Sequence, residues 1–246
     1  MTNDSLAKIT VVTVVYNGKQ LLEKTICSVL NQSYTNIEYI VIDGASTDGT
    51  TDIIRKYESS IFAWISEKDK GIYHAMNKGV AMSSGDWICF INCGDVFVDE
   101  HTVQKIANCI TEPSDADIFY GNILVNGKDS MIERIASKPC NKHRMFFCHQ
   151  SAFVKTKLMR QFPFDETYKM SADLKFFKQC YNIGYQFYHL DFPVVIYDTS
   201  GVSNTNRVAG LKENISVVRE MDSQFQKYVF LFRLCFTVFW LKLNGK

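Results

Sequence analysis

Runs of β-branched residues alternate with segments of helical periodicity through the first hundred residues of the chain. Ile9–Val15 is β-branched without a break, which is typical of a strand buried on both faces. Gln20–Gln32 then places its apolar residues at the three- and four-residue spacing of a helix. The repeated pattern predicts strands at Ile37–Ile42, Phe62–Ser66 and Trp87–Asn92, and helices at Thr47–Tyr57 and Gly71–Met82. Strands and helices in alternation predict an α/β fold with a mainly parallel sheet.

The rhythm changes after about residue 98. The pattern there predicts a helix at Thr102–Cys109, a strand at Ile118–Val125, a turn at residues 127–129, a helix at Leu174–Tyr181 and a strand at Val194–Tyr197. The segment Met131–Cys148 is basic and irregular. We expect two halves, residues 1–98 and 99–210, that share one continuous sheet.

Composition narrows the class of ligand. The 246 residues can bury a full core, and 46% hydrophobic and 22% charged content is ordinary for a globular protein. The net charge of +1 gives no basic field of the kind that gathers nucleic acid. We therefore expect a small-molecule ligand and no nucleic-acid partner.

Eight cysteines are spread along the chain, and none forms a C-x-x-C pair. Several lie inside apolar runs, as buried free thiols do. This spacing argues against a zinc site or a disulfide framework. Free thiols, and an N-terminus without the pattern of a secretory signal, predict a cytoplasmic protein.

The C-terminal region, residues 211–246, is expected to be a helical tail. Tyr228–Leu243 is nearly all apolar or aromatic, with Arg233 and Lys242 inside it. It is shorter than the roughly 20 apolar residues that a spanning helix needs. A helix lying in the membrane interface is favoured. The alternative is a helix packed on the domain or on a second copy, as in a homodimer.

Two apolar runs end at carboxylates. Asp43 closes one and is followed by small residues, and Asp95 closes the segment Asn92–Asp95. Open α/β sheets bind ligands at the carboxyl ends of their strands. One carboxylate can then hold a base or ribose, and the other a divalent cation on a diphosphate, because Mg²⁺ and Mn²⁺ take oxygen ligands. The alternative for each is an ordinary turn or helix cap, and capping is the favoured role for Asp48.

Other positions carry weaker signals. The backbone after the first strand can contact a base edge, and Tyr16 can stack on it. Gly71 permits close approach of a ligand, and Lys70 or Lys78 can meet a phosphate, although charged loops are usually only solvated. Asp173 is a candidate general base, because a positioned carboxylate can take the proton of an attacking hydroxyl; an N-cap is the alternative. His149 follows an aromatic segment, and a buried structural histidine is as good an interpretation of it as a ligand-binding one.

Taken in order, these segments resemble the family 2 inverting glycosyltransferases of the GT-A fold, with its Rossmann-like sheet. Within that family they resemble small bacterial enzymes of O-antigen and exopolysaccharide assembly. The matching segments are TVVYN (Thr13–Asn17), VLNQSY (Val29–Tyr34), YIVIDGASTDGT (Tyr39–Thr50), EKDKGIYHAMNKG (Glu67–Gly79), SGDWICFINCGD (Ser84–Asp95), HQS (His149–Ser151), SADLKFF (Ser171–Phe177) and SGVS (Ser200–Ser203).

The resemblance implies a single catalytic domain over residues 1–210, with a nucleotide-sugar half and an acceptor half. It implies a UDP-sugar or similar donor, Mn²⁺ or Mg²⁺, and hexosyl transfer with inversion. Asp95 would hold the metal and Asp173 would be the base. The residues expected to bind the nucleotide-sugar are Thr13, Val15, Tyr16, Asp43, Gly71, Asn77, Asn92 and Gly94. Those expected near the acceptor or the diphosphate are His149, Gln150, Ser200 and Gly201.

One departure from the family pattern concerns the metal. Asn92 and Gly94 stand where relatives often carry carboxylates, so that Asp95 remains, helped by Asp43 or by waters. We interpret this as variation and not as loss of activity.

The resemblance also implies a polyprenyl-diphosphate-linked sugar acceptor at the cytoplasmic face of the inner membrane. The aromatic tail and a nearby basic stretch suit an anionic lipid surface. That stretch consists of Lys138, Lys142, His143 and Arg144.

Other functions fit less well. A sugar-phosphate nucleotidyltransferase would show a glycine-rich basic loop after the first strand, and Tyr16–Lys19 is a poor version of one. A dinucleotide oxidoreductase needs G-x-G-x-x-G there, and that motif is absent. A non-catalytic nucleotide-sugar or glycan-binding subunit stays open, because the Asn92–Asp95 motif is degenerate. The sequence does not fix the donor sugar or the linkage.

Overall fold

The computed structural model describes residues 6–112, 115–127, 130–201 and 206–243. The first half alternates strands and helices as predicted, and no end moves by more than three residues. Its elements are β1 (Ile9–Val15), α1 (Lys19–Leu30), β2 (Ile37–Asp43), α2 (Thr50–Lys56), β3 (Ala63–Ser66), α3 (Ile72–Met82) and β4 (Trp87–Phe90). The N-cap of α2 is Gly49, in the left-handed region, while the Asp48 carboxylate accepts the Thr50 N–H at 3.0 Å.

The second half contains elements that the pattern did not reveal. They are two short strands at Val96–Phe97 and Ala152–Lys155, a helix at Thr156–Gln161, and a fully exposed strand at Met131–Arg134 within the segment expected to be irregular. The last strand, Phe187–Tyr197, begins seven residues before the predicted start at Val194. The elements are β5 (Val96–Phe97), α4 (Thr102–Thr111), β6 (Ile118–Asn126), β7 (Met131–Arg134), β8 (Ala152–Lys155), α5 (Thr156–Gln161), α6 (Ala172–Ile183) and β9 (Phe187–Tyr197). Lys128 and Asp129 of the predicted turn lie outside the described residues.

The nine strands of the described ranges form the single continuous sheet that the sequence predicted, in the order β3-β2-β1-β4-β8-β6-β9-β5, with β7 paired to β6. The sheet is parallel from β3 to β4. Beyond β4 it becomes mixed, because β8 lies antiparallel between β4 and β6 and β9 runs parallel to β6. The fold class is confirmed, with a sheet that is mixed in its second half and not mainly parallel throughout.

Strand register brings the chain segments that matter to one edge. Val15 pairs with Asp43, and Val12 pairs with Phe90, so β1, β2 and β4 end at the same side of the sheet. The loops that follow these strands therefore meet there. This is the edge at which open α/β sheets bind ligands.

Helices cover both faces of the sheet. Val11 and Val12 are fully buried on opposite sides of β1, as the two-residue period of a strand requires. The cluster around Val11 includes Leu22 of α1, and the cluster around Val12 includes Met76 of α3 and Phe176 of α6. The two layers hold the strand ends in fixed positions.

Two C-terminal helices follow, α7 (Arg207–Met221) and α8 (Gln224–Leu243). They pack on each other through a small core of Leu211, Val218, Leu234 and Leu241. A buried ion pair ties their junction to α6, with Lys178 Nζ 2.9 Å from Asp222 Oδ1. No helix in the described ranges has the length and apolar content to cross a membrane.

Candidate active site

A cavity of about 1030 Å³ opens at the carboxyl edge of the parallel strands. One wall comes from the loops after β1, β2 and β4, and the other from His149, Asp173 and the residues after β9. The cavity therefore joins the two halves of the sheet. It contains most of the positions that the sequence singled out.

Val15, Tyr16 and Gly71, which the sequence singled out for binding, line this cavity. Tyr16 is 68% exposed, so its ring is available to a ligand. A Cβ on Gly44 would lie 3.2 Å from Asp69 Oδ2 and 3.3 Å from the Tyr16 ring, which leaves little room for a side chain there. Asp69 also lines the cavity and is held by Lys78 Nζ at 2.6 Å.

Four predicted binding residues do not line the cavity, and three of them, Thr13, Asp43 and Asn77, make structural contacts instead; the fourth, Gly94, is described with Asp95 below. Thr13 is fully buried and donates to the Ile91 carbonyl at 2.8 Å. Asp43 is fully buried as well, and accepts hydrogen bonds from the hydroxyls of Ser46 and Ser66 at 2.5 and 2.6 Å. These contacts fix the ends of β1 and β2. The side chains thus support the loops that line the cavity.

Asn77 is the third of these residues. Its Nδ2 donates to the Phe164 carbonyl at 2.9 Å, and its Oδ1 accepts the Phe164 N–H at 3.0 Å. The unfavourable helix propensity of asparagine is thus explained by a bridge between α3 and the segment after α5. Lys70 and Lys78, considered for phosphate binding, are absent from the cavity lining, whereas Lys68 and Lys169 are present in it.

Asp95 is 3% exposed and its side chain reaches the cavity. Burial raises its pKa to about 6, although a hydrogen bond from the Asp198 N–H at 2.8 Å opposes the rise. Asn92 lies beside it, and its Oδ1 is buried without a hydrogen-bond partner among the described residues. A carboxylate and an unsatisfied amide oxygen are the hard oxygen donors that Mg²⁺ and Mn²⁺ prefer. The residues present therefore fit a divalent cation.

Gly94 adopts a φ of +105°, a conformation that L side chains rarely take. It does not line the cavity, but its backbone carries Asp95 inward. No group of three or more His, Cys, Asp or Glu side chains is placed to hold a metal in the described part of the chain. A cation here would have to take further oxygens from a bound ligand or from water.

Asp173 starts α6 and faces the cavity with 14% of its side chain exposed. Its Oδ1 accepts the Tyr73 hydroxyl at 2.9 Å and the Leu174 N–H at 2.8 Å, and its Oδ2 lies 3.0 Å from His149 Nδ1. Burial alone would raise the pKa of Asp173, but the hydrogen bonds, led by that of His149, lower it overall. The carboxylate is therefore ionised at neutral pH.

An ionised Asp173 assigns the proton of His149 to Nδ1. His149 Nε2 then accepts from Asn92 Nδ2 at 3.3 Å. This orientation of the amide leaves Asn92 Oδ1 without a hydrogen-bond partner among the described residues. The candidate base and the candidate metal site are thus linked through one histidine.

The remaining predicted residues lie on the same cavity. Gln150, Ser200 and Gly201 line it, while Val202 and Ser203 lie outside the described residues. Sequence reasoning missed Tyr73 and Asp198, which also line it. Tyr73 lies inside the segment Glu67–Gly79, and Asp198 follows the predicted strand Val194–Tyr197, so both positions carried a signal that was not used.

The segment before α6 depends on α7. The Glu213 carboxylate accepts the N–H groups of Lys169 and Met170 at 2.9 and 2.8 Å. Ser171 donates its hydroxyl to Asn214 Oδ1 at 2.7 Å. These hydrogen bonds fix the position of residues 169–171, which lead into Asp173.

Comparison with known proteins places the chain in a family. Residues 10–182 match the family model for glycosyl transferase family 2. The chain is 25% identical over 170 residues to a PGL/p-HBAD biosynthesis glycosyltransferase of Mycobacterium tuberculosis (strain H37Ra), a match covering 68% of this chain and 66% of that protein. The chain thus spans just under two thirds of that relative. The putative teichuronic acid biosynthesis glycosyltransferase TuaG of Bacillus subtilis (strain 168) is 30% identical over 134 residues, with 53% of each protein covered.

Solved structures share the fold. S. aureus TarS 1-349 in complex with UDP-GlcNAc superposes with a TM-score of 0.71 at 16% identity, covering 93% of this chain and 71% of that one. The mannosyltransferase PcManGT from Pyrobaculum calidifontis, in complex with GDP-Man and Mn²⁺, superposes with a TM-score of 0.67 at 16% sequence identity. The match covers 89% of this chain and 65% of that one. The architecture is therefore of the GT-A type. With the family match covering most of its length, the chain belongs to glycosyl transferase family 2 and is related to enzymes of cell-surface polysaccharide biosynthesis.

Proposed function

We propose that this protein transfers a hexosyl residue from a nucleotide-sugar, with a UDP-sugar as the first choice, to a polyprenyl-diphosphate-linked saccharide, with inversion at the anomeric carbon. The observation that carries the proposal is that Asp95 and Asp173 line one cavity from opposite halves of the sheet. A donor diphosphate at Asp95 would place its sugar toward Asp173. The relatives named for PGL/p-HBAD biosynthesis and for teichuronic acid biosynthesis are glycosyltransferases, which supports transfer of a sugar.

The nucleoside is assigned to the wall formed by Val15, Tyr16, Gly44 and Asp69. Tyr16 offers an exposed ring for stacking on the base. Asp69 offers a carboxylate for ribose hydroxyls or a base N–H. Gly71, with a φ of +146° at the start of α3, lets the ligand approach the backbone.

The diphosphate is assigned to the neighbourhood of Asp95 and Asn92, which would hold Mn²⁺ or Mg²⁺. The metal, when bound, supplies Lewis-acid stabilisation of the negative charge on the departing nucleoside diphosphate. The PcManGT structure with GDP-Man and Mn²⁺ supports a metal in this fold. Ser200 and Gly201 line the same end of the cavity and can close over the phosphates.

Asp173 is assigned as the base. It stays ionised at neutral pH and has a lone pair free to face the cavity, because each oxygen can accept more than one hydrogen bond. It takes the proton of the attacking acceptor hydroxyl while the bond from the anomeric carbon to the diphosphate breaks. His149 and Tyr73 hold the carboxylate in place, which fixes its direction of attack.

The tail is assigned to the cytoplasmic membrane surface. One side of α8 packs on α7, while its other side exposes a row of aromatic rings. Phe225, Phe232 and Tyr228 are 80, 75 and 73% exposed, and Phe236 and Phe239 are each 61% exposed. Aromatic residues on one face of a helix that also carries cations are typical of binding in the plane of a lipid interface. This location suits a lipid-linked acceptor.

The testing experiment is a donor screen. Purified protein with Mn²⁺ or Mg²⁺ is offered UDP- and GDP-sugars, with and without a synthetic lipid-diphosphate sugar, and release of nucleoside diphosphate is followed. We expect metal-dependent release from one donor, stimulated by the acceptor and lost in Asp95→Ala and Asp173→Asn. Asp115→Asn, an exposed acid distant in sequence from both motifs, serves as the control.

Two results would reject the proposal. Saturable nucleotide binding without turnover of any donor would favour a non-catalytic binding subunit. Absence of nucleotide binding would contradict the assignment of the cavity as the nucleotide-sugar site. Membrane attachment is tested separately by flotation with anionic vesicles, in which Phe225→Ser/Phe232→Ser should stay in the dense fraction while the wild type floats.

A further inference from the structure

The volume next to Gly94 contains a carboxylate from elsewhere in the chain. A Cβ built on Gly94 would lie 2.7 Å from Oδ2 of Asp198, the residue that follows β9. The family pattern often has an acid at this position of the motif, and here glycine occupies it. Asp198 thus brings a carboxylate to the space that a side chain at position 94 would enter.

Hydrogen bonds hold Asp198 next to Asp95, the candidate metal ligand. Its N–H donates to Asp95 Oδ1 at 2.8 Å, across 103 positions of sequence. Its own carboxylate accepts the Ser200 N–H at 2.9 Å and the Ser200 hydroxyl at 2.6 Å. These bonds fix the rotamer of Asp198, and the side chain borders the same cavity.

Two acidic side chains meet at this point of the cavity. The Asp198 N–H lies 2.8 Å from Asp95 Oδ1, and both residues line the cavity. Within the described ranges, neither forms an ion pair with Lys, Arg or His. Carboxylate oxygens are the ligands that Mg²⁺ and Mn²⁺ take in proteins. Asn92 lines the same cavity and adds a neutral oxygen through its Oδ1, which has no hydrogen-bond partner among the described residues.

We propose that Asp198 is the second carboxylate of the divalent-cation site and replaces, from the end of β9, the acid that the Asn92–Asp95 motif lacks. This inference rests on the proposed function, because the cation is the one that accompanies the donor diphosphate. Two carboxylates and one amide leave coordination positions open, and Mg²⁺-type cations usually fill these with phosphate oxygens and water. The protein should therefore hold Mn²⁺ well only together with a nucleoside diphosphate.

The experiment measures metal and nucleotide binding directly, without turnover. Free Mn²⁺ is titrated by electron paramagnetic resonance in the presence and absence of UDP or GDP, and nucleotide binding in EDTA is measured by calorimetry. Asp198→Asn keeps the shape and an acceptor for Ser200 but removes the charge. Asp191→Asn, an exposed acid of β9 about 23 Å away along the strand, is the matched control.

We expect nucleotide to promote Mn²⁺ binding in the wild type and in Asp191→Asn. Asp198→Asn should lose about tenfold or more of that Mn²⁺ affinity, the order of effect known for groups around metal sites. Its nucleotide binding in EDTA should be unchanged, which also shows that the variant is folded.

The opposing results are distinct. Equal Mn²⁺ affinity in Asp198→Asn and the wild type overturns the role of Asp198 and leaves the proposed function standing. Nucleotide binding that is indifferent to Mn²⁺ in the wild type overturns the metal site itself. Failure of the wild type to bind either nucleotide rejects the proposed function and this inference together.

Discussion

His149→Ala tests whether Asp173 is the base that its neighbours orient. The substitution removes one of three donors to the carboxylate, a contact of 3.0 Å. A hydrogen bond to a charged group contributes about 1.5–3 kcal/mol. If that energy is expressed in the transition state, turnover should fall roughly 10- to 150-fold. Asp173→Asn removes the base itself and should cost roughly 10²- to 10⁴-fold.

The assay is release of nucleoside diphosphate at saturating donor, recorded as a function of pH. The pKa of Asp173 is lowered in the native protein, so activity should persist as pH falls until the carboxylate is protonated. Loss of the His149 donor lets this pKa rise, and the acid limb of the profile should move to higher pH. Tyr73→Phe removes another donor while keeping the ring packed on Phe164, and should move the limb in the same direction.

A role of His149 as the base would give a different result. If His149 takes the proton and Asp173 only orients it, His149→Ala will lose at least as much activity as Asp173→Asn. An acid limb that stays in place in both His149→Ala and Tyr73→Phe would show that these donors do not set the state of Asp173. Added imidazole should restore part of the activity of His149→Ala without changing Asp173→Asn.

Three further predictions concern stability. Lys178→Met leaves the buried Asp222 without its cationic partner and should lower the free energy of unfolding by about 3–5 kcal/mol in urea titrations. The double variant Lys178→Met/Asp222→Leu should come close to the wild type. A small effect of the single change would mean that water reaches Asp222. Gly94→Ala places a Cβ at a backbone φ of +105° and against Asp198. The free energy of unfolding should fall by about 1–3 kcal/mol, and metal binding should be lost, as measured by thermal unfolding and Mn²⁺ titration. Unchanged stability and unchanged Mn²⁺ binding would show that the loop relaxes. Glu38 is buried, and burial alone would raise its pKa, but hydrogen bonds from its neighbours lower the pKa overall. The ionised carboxylate therefore stabilises the fold above the unfolded-state pKa of about 4.3, and this stabilisation is lost as the pH falls. The difference in unfolding free energy between wild type and Glu38→Gln should shrink in acid, and a difference that stays constant with pH would contradict the prediction.

The first half of the fold could be predicted from the sequence because β1, β2 and β4 are buried on both faces, whereas β3 at the sheet edge is only partly buried. Ile9–Val15 has no polar alternation to obscure it, and its bounds agree with the structure. β8 was missed because it has four residues and runs into α5 without a turn residue to separate them. β7 is held by pairing with β6, and its exposed residues carry no burial pattern.

The site could be predicted only as far as strand ends. Two carboxylates at strand ends look alike in sequence, yet Asp95 faces the cavity and Asp43 turns toward Ser46 and Ser66. Which side a strand-end residue faces depends on the loop after it. Asp198 follows a predicted strand, but only the folded chain brings the end of β9 to the end of β4.

The contacts between α7 and the segment before Asp173 decide where the protein can be shortened. A cut at residue 210, the boundary suggested by the sequence, would delete Glu213 and Asn214, and with them three hydrogen bonds next to the candidate base. It would also remove Asp222, the carboxylate that pairs with the buried Lys178 ammonium. A water-soluble form for crystallisation is better made by replacing the exposed rings of α8 with polar residues, with every helix kept in place.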